Sequence, residues 1–120
     1  MLHKEITEKI IGASFEVYNE LGYGFLEKVY KNSMQVELVQ NGCRCETEYQ
    51  IKVKYRNAIV GEYFADLFVE DAVVVELKVA KKYNSADEAQ LLNQLKATGI
   101  KVGLLINFGK SEVEFKRLVY

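Results

Sequence analysis

The sequence predicts a single α/β domain in which two helices are followed by three strands, a third helix and two more strands. Three observations predict this class. A chain of 120 residues with 49% hydrophobic residues is large enough for one compact core. Its apolar residues recur at helical spacing in some segments and alternate with polar residues in others. Proline is absent, and no linker or internal repeat interrupts the chain, so residues 1–120 are expected to form one domain.

The first two helices are predicted near the N-terminus. The first covers residues 4–21, where apolar side chains recur at helical spacing and a glycine turn follows. The second runs from about Phe25 to Gln40 and stops at Asn41-Gly42. The side chains of the second helix that we expect to face inward are Leu26, Val29, Tyr30 and Leu38.

Five segments are predicted to be strands. Residues 45–55 alternate apolar and polar side chains, as a half-exposed strand does. Two further strands are expected near 59–69 and 72–79, the apolar run VGLLINF (102–108) is typical of a buried strand, and VEFKRLVY (113–120) is the last.

The third helix is predicted over residues 86–98, between the third and fourth strands. Ser85 followed by Glu88 fits a capping box at its start. Gly99 is expected to close it.

Two charged residues interrupt the apolar strand VVVELKVA (73–80). Glu76 and Lys78 are two positions apart, so they point to the same face of the strand. A charged pair in a buried strand is costly unless it is partnered, metal-bound or used. Together with Asp66 on the preceding strand, the pair indicates a divalent-metal site beside a lysine. The alternative is a structural ion pair on a solvated edge strand.

Composition excludes several classes of function. A net charge of −1 gives no global basic field, so any nucleic-acid contact must come from local patches. No apolar run reaches the roughly 18 residues of a membrane span, and MLHKEITEK has no apolar signal core, so the protein is expected to be cytoplasmic, without a membrane partner. Cys43 and Cys45 are expected to be free thiols, and His3 a bystander.

Five separated motifs resemble one known family. The order of elements and the Asp66, Glu76-x-Lys78 positions resemble the PD-(D/E)XK nuclease superfamily. GFLEKVY (24–30) resembles the Gly-x-x-Glu-x-x-Tyr signature of its GxxExxY family, with Gly24, Glu27 and Tyr30 in place. The other similar stretches, in the right order, are IIGASFEVYNELG (10–22), YFADLFVEDAVVVELK (63–78), EAQLLNQLKATG (88–99) and VGLLINFG (102–109). The resemblance implies a restriction-endonuclease-like mixed β-sheet flanked by helices on both faces.

The resemblance also implies roles for individual residues. Asp66 and Glu76 would bind Mg²⁺ or Mn²⁺, with the backbone carbonyl of Leu77 as a further ligand; hard cations prefer such oxygen donors. Lys78 would position or activate the attacking water. Glu27 would assist the metal directly or through water. Gln90 would match the glutamine of a helix motif, Gln-x-x-x-Tyr, beside the site.

Two positions depart from the family pattern. Gln94 occupies the place of the tyrosine in that helix motif. Tyr18 stands where family members often carry a histidine in the first helix. The first departure leaves the glutamine motif half present, and the second removes a histidine ligand.

The metal hypothesis requires a specific strand register. A two-residue turn at Glu70-Asp71 would put Asp66 opposite Val75 and leave Glu76 on the other side. A three-residue loop centred on Asp71 brings Asp66 opposite Glu76, with Cβ atoms about 5 Å apart. We therefore predict that register, or a bulge with the same result.

Less specific interpretations remain for the other residues. Glu27 and Lys31 are spaced as an i,i+4 ion pair worth about 0.3 kcal/mol, and Gln90 could be a plain surface residue. The Lys81-Lys82-Tyr83 cluster could be solvated or could contact a phosphate backbone.

The sequence thus predicts a metal-dependent nuclease acting on nucleic acid, most plausibly DNA. Specific protein–DNA interfaces bury roughly 1,000 Å² or more of protein, so a homodimer or a partner protein is expected for so small a domain. The alternative is a non-catalytic module of the same fold that binds nucleic acid or protein. A small-molecule binder has no pocket signature in the sequence.

Overall fold

The computed structural model describes residues 1–120 as three helices and five strands. The helices are α1 (Lys4–Leu21), α2 (Glu27–Gln40) and α3 (Ala86–Thr98). The strands are β1 (Cys45–Tyr55), β2 (Ala58–Val69), β3 (Val73–Lys78), β4 (Val102–Phe108) and β5 (Val113–Val119). The predicted order of elements is confirmed. No helix is long and apolar enough to cross a membrane.

The five strands form one mixed sheet in the order β1-β2-β3-β4-β5. Strands β3 and β4 are parallel, and the other neighbours are antiparallel. Parallel neighbours need a crossover connection, and α3 supplies it. Helices α1 and α2 pack on one face of the sheet and α3 on the other, so the predicted mixed sheet with helices on both faces is confirmed.

Each face of the sheet has its own apolar cluster. The cluster under α1 and α2 contains alternate residues of the central strands, such as Val75, Leu77, Leu104 and Ile106. The cluster under α3 contains the intervening residues, including Val74 and Leu105. Glu76 and Lys78 have the parity of Val74, so they belong to the α3 face of β3.

The hairpin of β1 and β2 changes faces in its middle. Cys45 packs in the α1/α2 cluster, whereas Tyr49 and Ile51 pack in the α3 cluster. Between them, Glu48 has a φ of 53°, and the β1–β2 register skips the position that would pair it with Asp66. The alternation predicted for residues 45–55 therefore does not continue on a single face. The irregularity lies beside Asp66.

Two local predictions about helix starts are wrong. Helix α2 begins at Glu27, because the chain bends at Tyr23 and Phe25, and Leu26 is still extended. Leu26 is 74% exposed, and Met34 is buried instead. Ser85 has helical backbone angles and makes no capping hydrogen bond. Asn84 caps α3 instead, since its Oδ1 accepts a hydrogen bond from the Ala86 N–H at 3.0 Å.

Candidate metal and nucleic-acid site

The turn between β2 and β3 sets the register on which the site depends. Glu70 and Asp71 have φ angles of 54° and 52°, and the Ala72 N–H donates to the Val69 carbonyl at 3.0 Å. The ladder pairs Val69 with Val73, so the loop has three residues, and Ala72 is the one added to a two-residue turn at Glu70-Asp71. The odd loop of residues 70–72 is confirmed, and the register it sets places Asp66 opposite Glu76.

Asp66 and Glu76 meet where β2 separates from β3. The last ladder pair is Leu67 with Val75. Beyond it, the Leu77 N–H donates to Asp66 Oδ2 at 2.7 Å, and the Asp66 N–H donates to Glu76 Oε1 at 3.3 Å. At this point the N–H groups of Asp66 and Leu77 donate to carboxylate oxygens instead of to backbone carbonyls. The two strands separate into an opening that both acids line.

The backbone of Leu77 faces the same opening. In an antiparallel pair, a residue directs its N–H and its C=O to the same neighbouring strand. Because the Leu77 N–H reaches Asp66, its carbonyl also points toward the side from which β2 has departed. This is the carbonyl that the sequence resemblance suggested as a ligand.

Burial and mutual repulsion alter the acidity of this pair. Burial, and then the charge of Asp66, raise the pKa of Glu76 to about 8, although the Asp66 N–H, Gln94 and Lys78 oppose the rise. Burial likewise raises the pKa of Asp66, opposed by the Leu77 N–H and by Lys31 and Lys78. The positive charges of Lys31 and Lys78 do not fully offset the rise in pKa that burial and mutual repulsion cause in Asp66 and Glu76. An additional cation would stabilise both carboxylates in their charged form.

Glu27 lies at the first turn of α2 and extends the cluster. The residue is exposed, yet partial desolvation of its carboxyl group, followed by the charge of Asp66, raises its pKa, while Lys78 and Lys31 lower it. Lys78 therefore influences all three acids, Glu27, Asp66 and Glu76. No three or more acidic, histidine or cysteine side chains already form a metal-binding group.

The Gly24, Glu27 and Tyr30 spacing has a structural explanation. Gly24 has a φ of 113°, which L side chains rarely adopt. The buried Tyr30 hydroxyl donates to the Gly22 carbonyl and accepts from the Phe25 N–H at 3.4 Å. These bonds hold the loop that enters α2. They consequently position the first turn of α2, which carries Glu27.

Replacing Tyr30 with phenylalanine is expected to lower the free energy of unfolding by about 1–2 kcal/mol, because the part-buried hydrogen bonds to the Gly22 carbonyl and the Phe25 N–H are lost. Urea denaturation measures this change. Tyr23→Phe is the matched control, since Tyr23 lies in the same loop but is 39% exposed. Equal stabilities for the two variants would contradict this role of Tyr30.

The glutamine that reaches the acids is Gln94. Gln94 is 4% exposed, it lies close enough to Glu76 to lower the pKa of that carboxyl group, and its Oε1 is buried without a partner. Gln90 lies on the exposed surface of α3. The structure therefore does not bring Gln90 into the contacts of Glu76. Gln94, which stands where the family motif has a tyrosine, lies near Glu76 instead.

Three further residues near the acids were not predicted from the sequence as part of the site. Lys31 is 13% exposed and pairs with Glu48 at 2.6 Å rather than with Glu27. Asp87, in the first turn of α3, contributes to the raised pKa of Glu27. Asn107 is buried in β4 and hydrogen-bonds both the N–H and the carbonyl of Ala80, at 2.9 and 3.0 Å. Asn107 thus anchors the chain just after Lys78. The signal that could have identified Asn107 from the sequence is its position as a polar residue in the apolar run VGLLINF.

The other candidates lie apart from these contacts. Tyr18 donates a hydrogen bond from its hydroxyl to the Gly109 carbonyl at 2.6 Å, beyond the end of β4. Cys43 and Cys45 are buried free thiols, as expected, and burial raises the pKa of Cys45 to about 11. His3 precedes α1 and makes no capping hydrogen bond. Lys81 and Lys82 are exposed.

Comparisons with known proteins agree with this architecture. Residues 4–118 match the family model of the PD-(D/E)XK nuclease superfamily. The structure is similar to the crystal structure of SSO0001, with a TM-score of 0.56 and 17% sequence identity, over 96% of this chain. The chain spans 57% of the length of that chain. No curated protein matches the sequence.

Proposed function

Because the chain belongs to the PD-(D/E)XK nuclease superfamily, we propose that it is a divalent-metal-dependent nuclease that hydrolyses phosphodiester bonds in DNA. The observation that carries this proposal is the meeting of Asp66 and Glu76 at the opening between β2 and β3, where the Asp66 carboxylate accepts from the Leu77 N–H and the Glu76 carboxylate accepts from the Asp66 N–H. Residues 1–120 would form the single nuclease domain.

The groups at the opening fit a hard cation. They are carboxylate oxygens, whose pKa values are raised chiefly by burial, and a backbone carbonyl from Leu77; a cation would stabilise the charged form of such carboxylates. Asp66, Glu76 and Leu77 would hold Mg²⁺ or Mn²⁺, and Glu27 would assist directly or through water. Such an ion, when bound, offsets the charge that develops on the scissile phosphate and favours deprotonation of water.

Lys78 would act on the water or the phosphate. It shares the α3 face of β3 with Glu76, and its ammonium group can donate hydrogen bonds to either reactant. Asn107 would keep Lys78 in place through its two bonds to Ala80. Lys81 and Lys82 follow directly and would contact the phosphate backbone.

The GxxExxY family is the group to which we assign the chain within the superfamily. Gly24 and Tyr30 support this assignment because they shape the loop that places Glu27. Gln94 would orient Glu76 through its amide. Gln90, on the exposed side of the same helix, would contact substrate rather than the acids. A homodimer or a partner protein would enlarge the small nucleic-acid interface.

Titration calorimetry with Mg²⁺ and Mn²⁺ tests the metal site in wild type and Asp66→Asn. We expect binding by wild type and at least about tenfold weaker binding by the variant, because one charged ligand is lost. Glu20→Gln, an exposed glutamate on α1, is the control and should bind like wild type.

A parallel assay with labelled DNA and RNA tests the reaction. Metal-dependent cleavage of DNA that Asp66→Asn abolishes would support the proposal. Cleavage of RNA alone would overturn the choice of DNA. Absence of both metal binding and cleavage would favour a non-catalytic binding module of the same fold.

A further inference from the structure

A second charged surface lies between the β1–β2 hairpin and the outer side of α3. The hairpin extends beyond the ladder with β3, which ends at Leu67. Between its far part and α3 is a groove with a volume of about 610 Å³. We name it the basic groove; its lining includes Lys52, Lys54, Tyr63, Asn93, Lys96 and Ala97.

The charge of the basic groove is entirely positive. Three lysines and no acidic residue line it, in a chain whose net charge is −1. None of the three lysines forms a salt bridge. Across the hairpin, Lys54 pairs with Ile59 and has no acid opposite it, whereas Lys52 stands opposite Glu62, which is not among the lining residues. Such a groove complements a polyanion.

One side of α3 carries residues of both the basic groove and the candidate site. Gln90, Asn93, Gln94 and Ala97 are spaced i, i+3, i+4 and i+7, so they follow one helical face. Gln94 contacts Glu76, whereas Asn93 and Ala97 line the groove. A chain of phosphates that leaves the acids along α3 would pass exposed Gln90 and enter the groove.

Tyr63 favours an unpaired strand over a duplex. Its ring is 37% exposed and lies among the lysines of the groove. Proteins that bind single strands combine a positive groove for the backbone with aromatic rings on which bases stack. In a duplex the bases are stacked on one another and cannot lie on such a ring.

We propose that the basic groove binds an unpaired strand of nucleic acid that continues from the phosphodiester held at Asp66 and Glu76. This inference rests on the proposed nuclease function. It deepens that function by assigning a single-stranded segment to the substrate. Lys54 and Lys96, one on each wall, would contact phosphates, and Tyr63 would stack on a base.

The test measures binding of a fluorescently labelled 30-nucleotide single strand and of its duplex in EDTA, where metal-dependent cleavage cannot proceed. For single strands each phosphate contact contributes about 0.7 to the slope of log affinity against log salt concentration. K54Q/K96Q should therefore reduce that slope by about 1.4 and weaken binding of the single strand more than that of the duplex. K4Q/K9Q removes two exposed lysines from α1, on the opposite face of the sheet, and should leave the slope unchanged.

Substitutions of Tyr63 test stacking separately. Tyr63→Ala should weaken single-strand binding at least about fivefold, and Tyr63→Phe should restore it. Equal slopes for K54Q/K96Q and K4Q/K9Q, or a loss confined to the duplex, would overturn the inference. Weakened binding without any metal-dependent cleavage by wild type would overturn the proposed function and leave the groove standing. Metal-dependent cleavage by wild type, with no effect of the groove variants on binding, would overturn the groove inference and leave the proposed function standing.

Discussion

Replacement of Lys78 by methionine is expected to reduce the rate of DNA cleavage at least about 100-fold, the usual effect of removing a proton-transfer or charge-stabilising group. Methionine keeps much of the length of the side chain but has no charge and no donor. Lys78 is the one cation whose charge acts on Glu27, Asp66 and Glu76 alike. Its loss should therefore affect the chemical step more than the binding of substrate.

Single-turnover kinetics at saturating enzyme separates those two effects. We expect a large fall in the rate with a dissociation constant for DNA that changes little. Lys9→Met is the control, because Lys9 is an exposed lysine on α1. A Lys78→Met variant that cleaves at the rate of wild type would contradict the role proposed for Lys78.

Replacement of Glu76 by glutamine is expected to make the metal-free protein more stable at pH 8. The pKa of Glu76 is raised from 4.5 to about 8 in the folded state, chiefly by burial and by the charge of Asp66. The folded state then binds more protons than the unfolded state, so the stability of wild type falls as the pH rises through this window. At about 1.4 kcal/mol per pKa unit, a few kcal/mol of stability depend on this proton. Glutamine has no such proton to lose.

Urea denaturation in EDTA between pH 5 and 9 measures the effect. Wild type should lose stability across the range, and Glu76→Gln should lose less, while Glu20→Gln should follow wild type. Addition of Mg²⁺ at pH 8 should stabilise wild type and leave Glu76→Gln nearly unchanged, because a ligand of the folded state stabilises by mass action. A pH-independent wild type would show that Glu76 is not buried as described.

The local signals in the chain were sufficient for the order of the elements. Apolar periodicity located α1 at residues 4–21, and the end signals at Ser85 and Gly99 located α3 at residues 86–98, with the bounds that the structure has. The register of β2 and β3 followed from the metal-site hypothesis. Side chains alternate along a strand, so Asp66 and Glu76 share an opening only with an odd loop after Val69 or a bulge, and the structure has the odd loop.

The capping error shows where local reasoning fails. Ser85 and Asn84 are neighbours, and both are common capping residues. Which of them caps α3 depends on the path of the chain from β3, which Asn107 and Glu114 hold through Ala80 and Tyr83. Those anchors lie on β4 and β5, so they are distant in sequence.

By itself, the sequence determined the order of the elements and marked Asp66 and Glu76 as a candidate pair, because apolar periodicity and the charged residues that interrupt it are local properties. Only the tertiary structure decided that Gln94 rather than Gln90 contacts Glu76, and that Lys31 pairs with Glu48 rather than Glu27. These contacts depend on how each helix is rotated on the sheet and where the hairpin changes faces. Packing between distant segments sets the rotation of each helix and the position of the face change, and no local sequence pattern encodes that packing.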